Sequence, residues 1–163
     1  MTSHDAALRL RPVTADEFPA WIAASKAGYA HGIEAHGGQT HQAAQRKAAD
    51  DTAAVLPLGL DTPGHAIFVI EADGQRVGRL WLAELESGGR RMVFVYDISI
   101  DDAYQGRGYG RAAMRLAEDE ARARGLGRIE LNVFGGNAVA RRMYHSLGYV
   151  EQSVQMAKDL DAP

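Results

Sequence analysis

Gln105, Gly106, Arg107, Gly108, Tyr109 and Gly110 stand between an apolar strand pattern, Met92 to Ile100, and an amphipathic helix pattern that opens near Gly108. A strand that passes through glycines into a helix start leaves several backbone N–H groups without partners, and the helix dipole adds partial positive charge at the same point. Such a turn suits an anion. Glycines at 106, 108 and 110 remove side chains that would hold a phosphate away, while Gln105 and Arg107 add donors from the flanks. A pyrophosphate fits this chemistry, although a tight connection between strand and helix has the same appearance. Two nucleotide fingerprints fail here. No Lys-Ser or Lys-Thr pair follows the glycines, as a Walker loop requires, and the third glycine of the Rossmann spacing falls on Arg111.

The chain has 163 residues, the length of one domain with a proper core. Its apolar and charged fractions, 46% and 24%, are ordinary for a globular protein. A net charge of -3 offers no electrostatic footprint for nucleic acid or an anionic membrane. Without cysteine, disulfides, zinc thiolate sites and a cysteine nucleophile are excluded. No stretch approaches a membrane span, and Met1 to Asp5 lacks the charged and then apolar layout of a signal peptide, so a cytoplasmic location is expected.

Read in order, Leu8 to Arg11 alternates as a short strand and stops at Pro12. Thr14 and Glu17 have capping-box spacing, and a first helix is expected from about Ala15 to Ala30. His31 to Gly38 reads as a glycine-bearing loop before an alanine-rich second helix ending near Leu56 and Pro57. Histidines 31, 36 and 41 recur at steps of five, which point to different faces of a helix, and no metal site is expected. Ala66 to Glu71 and Arg76 to Leu85 form a hairpin around Asp73 and Gly74; Gly88 and Gly89 turn the chain again into Met92 to Ile100. These strands should be antiparallel neighbours, and Asp97 is the odd residue of the last, otherwise almost wholly apolar. Gly108 to Arg124 is a helix with Ala113, Leu116, Ala117 and Ala121 on one face. Ile129 to Phe134 then reads as a strand, joined to the previous one by a parallel crossover. Asn137 caps a final short helix with Ala140, Met143, Tyr144 and Leu147 on its buried stripe, closed by Gly148. Tyr149 to Leu160 alternates loosely as one or two closing strands.

Two motifs together resemble the GNAT superfamily of acetyl-CoA-dependent N-acyltransferases. Gln105, Gly108 and Gly110 fill the three places of that family's pyrophosphate motif, and Asn137, Ala140 and Tyr144 match its second signature, an Asn opening a later helix with a Tyr beyond it. The resemblance is strong from about Ala66 onward and loose before that. It implies an α/β fold of GNAT type, with a mixed, mostly antiparallel sheet, a splayed parallel pair and flanking helices, spanning residues 1–163 as one domain. It further implies direct transfer of the acetyl group of acetyl-CoA to a primary amine, without an acyl-enzyme and without a metal.

By that resemblance the pantetheine arm lies where the Met92 to Ile100 strand parts from Ile129 to Phe134. Backbone groups of Ile98, Ser99 and Ile100 would bond the arm. Gln105, Gly106, Arg107, Gly108, Tyr109, Gly110 and Arg111 would take the pyrophosphate, and Asn137 and Tyr144 would contact the cofactor near the arm. Tyr29, Glu34 and His36 would border the acceptor cleft; as plain residues they read as a core aromatic, a solvated acid and an exposed imidazole. A tyrosine stays protonated at neutral pH and can give its proton to a departing thiolate, so Tyr144 is the expected acid, against its plain reading as a core aromatic. For the base, Asp97 lies on the strand lining the cleft, where partial burial would raise its pKa, and Glu84, which shares a strand face with Leu80 and Leu82, is the second choice. Each also reads as a surface or structural acid.

A small-molecule or peptide amine is the expected partner, with no nucleic acid and no membrane, and homodimerisation is possible for such a chain. A non-catalytic acyl-CoA sensor of the same fold is the main alternative, and a nucleotide-binding protein using the glycine turn is a weaker one.

Overall fold

The computed structural model describes residues 7–161, so the expectation for Met1 to Asp5 falls outside them. Five strands, β1 (Leu8–Pro12), β2 (His65–Ala72), β3 (Gln75–Ser87), β4 (Arg90–Ile100) and β5 (Ile129–Leu131), form one sheet in sequential order. Four helices flank it: α1 (Phe18–Gly37), α2 (His41–Val55), α3 (Tyr109–Ala123) and α4 (Ala138–Ser146). The first four strands pair antiparallel and β5 runs parallel to β4. The mixed sheet and the α3 crossover are as the periodicity predicts. The tight turns follow from left-handed backbone, at Asp73 and Gly74 (φ 50° and 77°) and at Gly88 and Gly89 (φ 60° and 77°).

The two faces of the sheet carry separate cores. Ile70, Leu80, Leu82, Val93 and Val95 pack with Ala113, Met114 and Ala117 of α3. On the other face Ile67, Val69 and Trp81 pack with Trp21 of α1, whose indole N–H donates to the Phe68 carbonyl at 3.0 Å.

The largest departure from the sequence reading is α1. The Thr14 and Glu17 capping box forms, with Glu17 N–H donating to Thr14 Oγ1 at 3.3 Å and Thr14 N–H to Glu17 Oε2 at 3.0 Å. The helix then runs on to Gly37, through the segment His31 to Gly38 expected as a loop, and ends at left-handed Gly38 (φ 66°). Its internal glycines are packing residues. A Cβ on Gly28 would lie 2.6 Å from Arg79 Nη2, and one on Gly32 would lie 2.9 Å from Phe134 Cε2. Across the cleft, a Cβ on Gly136 would lie 2.7 Å from His36 Nδ1. Gly28, Gly32 and His36 recur every four residues, so one stripe of α1 passes close over Arg79 of β3 and the Phe134 to Gly136 segment that follows β5.

Two further expectations change. The strand expected over Ile129 to Phe134 is paired only as far as Leu131, because β4 and β5 part after the Val95 and Leu131 rung. The closing strands expected over Tyr149 to Leu160 are not formed: residues 150–161 are exposed and outside any regular element.

Candidate active site

The parting of β4 and β5 makes the site. From Tyr96 to Ile100 the β5-facing edge of β4 has no strand partner among the described residues, although its other edge pairs with β3 as far as Gly78 opposite Ile100. That last approach depends on glycine, since a Cβ on Gly78 would meet the Ser99 carbonyl oxygen at 2.3 Å. A bulge at Tyr96 shifts the register between Trp81 opposite Asp97 and Leu82 opposite Val95. Ile98, Ser99 and Ile100 therefore present backbone groups to a cavity of about 490 Å³, a volume of small-ligand size.

The cavity runs from this open edge to the start of α3. Gly106 and Gly108 are left-handed (φ 75° and 80°), and a Cβ built on either would meet nothing within 4 Å. Gly108 is the residue before α3 and offers no side-chain cap, so the first N–H groups of the helix face the cavity mouth without a protein acceptor from the cap. Gln105, Tyr109, Gly110 and Arg111 complete this end. Gln105 also braces the turn, its amide donating to the Ile100 carbonyl at 3.0 Å and to Asp102 Oδ1 at 3.1 Å. Arg107 is turned elsewhere: it donates to the Ala103 carbonyl at 3.2 Å, stacks its guanidinium over Tyr104 and is not part of the cavity wall.

Helix α4 supplies the opposite wall. Asn137 caps it, Oδ1 accepting from Ala140 N–H at 3.2 Å, and both residues line the cavity with Tyr144. Val139 and Met143 line it too; the sequence reading placed neither in the site, giving Met143 only as part of the buried stripe of the helix, and Val139 is left 73% exposed in its first turn. Met143 reaches Gly110, where a Cβ would lie 3.2 Å from its sulfur, so a glycine of the turn also sets how closely α3 and α4 meet. Gly148 and Tyr149 end α4 with paired bonds, Tyr149 N–H to the Tyr144 carbonyl and Gly148 N–H to the His145 carbonyl, both at 3.0 Å. Tyr149 then packs its ring 5.8 Å from that of Tyr144 and donates its hydroxyl to Glu118 of α3 at 3.1 Å. Tyr144 is thus held from both ends of its own turn, and its hydroxyl has no hydrogen-bond partner among the described residues. Burial, and after it the Asp97 charge, pushes its phenol up to about 12.

The two acids expected as base are placed far apart. Asp97 sits at the parted end of β4 on the α1 face, where Arg79 Nε donates to its Oδ2 at 2.6 Å. Burial pushes its carboxyl up, while the Arg79 charge and the Ser25 hydroxyl pull the other way. Arg79 carries no signal in the sequence, where it is one arginine among many, and it lies on β3, the central strand. Glu84 lies three rungs away opposite Val93, ion-paired to Arg91 at 2.9 Å and to Arg124, at the end of α3, at 3.2 Å. The residues expected to border an acceptor cleft are engaged as well: Tyr29 donates to Asp51 at 2.9 Å, Glu34 pairs with His41 at 3.0 Å, and the His36 ring packs against Phe134. Histidines 31 and 36 share α1 while His41 opens α2, and among the described residues no group of three His, Asp or Glu side chains is arranged to hold a metal. No helix among them is long and apolar enough to cross a membrane.

With this geometry in place, the comparisons with known proteins are specific. Residues 30–149 match the acetyltransferase (GNAT) family. The chain is similar to the uncharacterized N-acetyltransferase YycN of Bacillus subtilis (strain 168), 29% identical over 154 residues, covering 94% of this chain and 99% of that protein. The crystal structure of YycN superimposes with a TM-score of 0.90 at 28% identity, covering 96% of this chain and all of that one. A shorter stretch of 84 residues is 37% identical to the mycothiol acetyltransferase of Beutenbergia cavernae, over 52% of this chain and 27% of that protein.

Proposed function

We propose that this chain, which belongs to the acetyltransferase (GNAT) family, moves the acetyl group of acetyl-CoA directly to a primary amine of a small molecule or peptide. One observation carries the reading: a single cavity joins the uncapped start of α3, the open edge of β4 and the Tyr144 side of α4. Those three parts correspond in order to a diphosphate, an extended amide-bearing arm and a reacting thioester. The α3 start and the two left-handed glycines fit the diphosphate, with Arg111 as the cation on the wall; Arg107 contributes to the turn through Ala103 and Tyr104. The free groups of Ile98, Ser99 and Ile100 fit the arm in the manner of an added strand, and a backbone N–H there fits the thioester oxygen as negative charge develops on it.

The amine nitrogen attacks the carbonyl carbon, forming the C–N bond; the C–S bond breaks and the thiolate takes the Tyr144 proton, which solvent restores. The nitrogen loses its own proton to Asp97, directly or through water. Asp97 suits this better than Glu84, because it lies at the opening with a carboxyl raised by burial, whereas Glu84 is neutralised by two arginines on the α3 face. Arg79 holds Asp97 in place and is a positioning residue.

Release of free thiol from acetyl-CoA, followed across small amines, amino acids, aminoglycosides and peptides, tests the reading. Acceptor-dependent release is expected. Binding of acetyl-CoA with no release for any acceptor would favour a sensor of the same fold.

A further inference from the structure

Arg79 has more donors than its pairing with Asp97 uses. A guanidinium carries five N–H groups and no acceptor. In Arg79 only Nε is engaged, donating to Asp97 Oδ2 at 2.6 Å, and neither Nη forms a hydrogen bond among the described residues. The residue is 9% exposed, and a cation so far buried is ordinarily surrounded by acceptors, because donors left without one are costly. Arg11, which is more exposed, makes the contrast: its Nε donates to Glu71 and both its Nη nitrogens donate to Glu17.

The unused nitrogens are placed beside the site. Neither is fully enclosed, since the enclosed polar side-chain atoms without a hydrogen bond among the described residues belong to Glu71 and Arg124. Nη2 lies against α1 at Gly28, an exposed position, 2.6 Å from where a Cβ would stand. Across the ladder Arg79 faces Ser99, which lines the cavity. The Asp97 charge in turn reaches Tyr144 on the α4 wall. Proton donor, carboxylate and a guanidinium with free donors therefore border one opening.

We infer, on the basis of the transferase reading above, that the acceptor carries a carboxylate beside its amine and that the Nη groups of Arg79 bind this carboxylate while Asp97 receives the proton of the amine. Nε and both Nη belong to one rigid plane, so a carboxylate held by the Nη fork lies within a few bond lengths of Asp97. The amine must then sit on the carbon next to the carboxyl group or one further on, as it does in free α- and β-amino acids. The charges agree with that class. A zwitterion brings its ammonium to Asp97 and its carboxylate to Arg79, whereas a polyamine would press a second ammonium against the guanidinium. The C–N bond forms and the C–S bond breaks as before, the carboxylate is unchanged, and the products are an N-acetylated amino acid and the free thiol.

The test follows thiol release from acetyl-CoA with a panel of free amino acids, each beside its carboxamide and the amine that lacks the carboxyl group. For the wild type kcat/KM should be about 10- to 100-fold higher with the acid, the usual worth of a charge-assisted hydrogen bond, even though more of the carboxamide's weakly basic amine is neutral at pH 7. Arg79→Lys keeps a cation for Asp97 and lacks the fork, so its ratio of acid to carboxamide should fall toward one. The ratio is read within each protein, so a general loss of turnover cancels. Carboxamides or simple amines that serve the wild type as well as the acids do, or a preference that Arg79→Lys retains, would overturn the inference and leave the transferase reading standing. No release with any acceptor would remove the transferase reading instead. Calorimetry on the CoA-saturated wild type then decides for Arg79: N-acetylated amino acids should bind about tenfold or more tighter than their carboxamides, and equal affinities overturn the inference.

Discussion

Arg79 on β3 and Asp97 on β4 form a largely buried ion pair, Nε to Oδ2 at 2.6 Å, set diagonally on the ladder because Arg79 faces Ser99 and Asp97 faces Trp81. The pair stands where β4 loses its second neighbour, under the glycine stripe of α1. Its charge reaches Tyr144 from the far side of the opening, where Asp97 helps to keep the phenol protonated. One carboxylate thereby acts across the opening, from the α1 face of the sheet to the Tyr144 phenol on α4.

Breaking that pair from one side should be costly. Arg79→Met leaves a buried carboxylate without its partner and should lower stability by ~3–5 kcal/mol in urea unfolding. Adding Asp97→Leu should restore much of that stability while activity stays lost. A double variant no more stable than Arg79→Met would contradict the pairing.

Tyr144→Phe removes one hydroxyl that has no hydrogen-bond partner among the described residues, so acetyl-CoA affinity by calorimetry should change little. Turnover should fall by about 10²- to 10⁴-fold, the usual contribution of a positioned proton donor. Lost binding with unchanged turnover per bound enzyme would remove Tyr144 from the chemistry.

The pH dependence of stability has a definite sign. Tyr144 titrates at about 12 when folded and near 10 when unfolded. Its contribution is complete below pH 10 and is lost as pH rises toward 12, because only the unfolded chain ionises there. The wild-type melting temperature should therefore fall across that window, and Tyr144→Phe should make the fall shallower. Equal slopes would show that the phenol is not shielded.

The glycines of α1 separate packing from propensity. Gly28→Ala gains ~1 kcal/mol of helix propensity but drives a methyl against Arg79 Nη2, where overpacking costs ~1–3 kcal/mol, so a net loss is expected. Gly37→Ala meets only ordinary contact, Ile33 Cγ2 at 3.6 Å, and should gain up to ~1 kcal/mol. Denaturation midpoints moving the same way for both would contradict this reading of α1.

Gly108→Val places a branched side chain at a left-handed residue that opens onto the cavity. It should weaken acetyl-CoA binding by an order of magnitude or more while the fold persists, as measured by calorimetry beside a thermal melt. Unchanged affinity would take the turn out of the site.

What the sequence showed plainly was local. The turn at Gln105 to Gly110 and the Asn137 cap are signalled by neighbours within a few residues, and the structure forms both. Asp97 stood out as a charge in an apolar run, but Arg79 lies 18 residues earlier, and only the bulged register of β3 and β4 brings them together. Gly32 looked like a loop residue for the same reason, because Phe134, the ring it makes room for, is remote in the chain. The segment after Tyr149 has a strand's alternation and no strand, since alternation specifies a face and not the edge that receives it.

Transfer of an acetyl group in this cavity is tested by thiol release from acetyl-CoA, measured for the wild-type chain and for Tyr144→Phe over a panel of amines. Release should require both an acceptor and the Tyr144 hydroxyl. Acetyl-CoA that binds at the glycine turn yet yields no thiol with any amine, or equal release from both proteins, would contradict it.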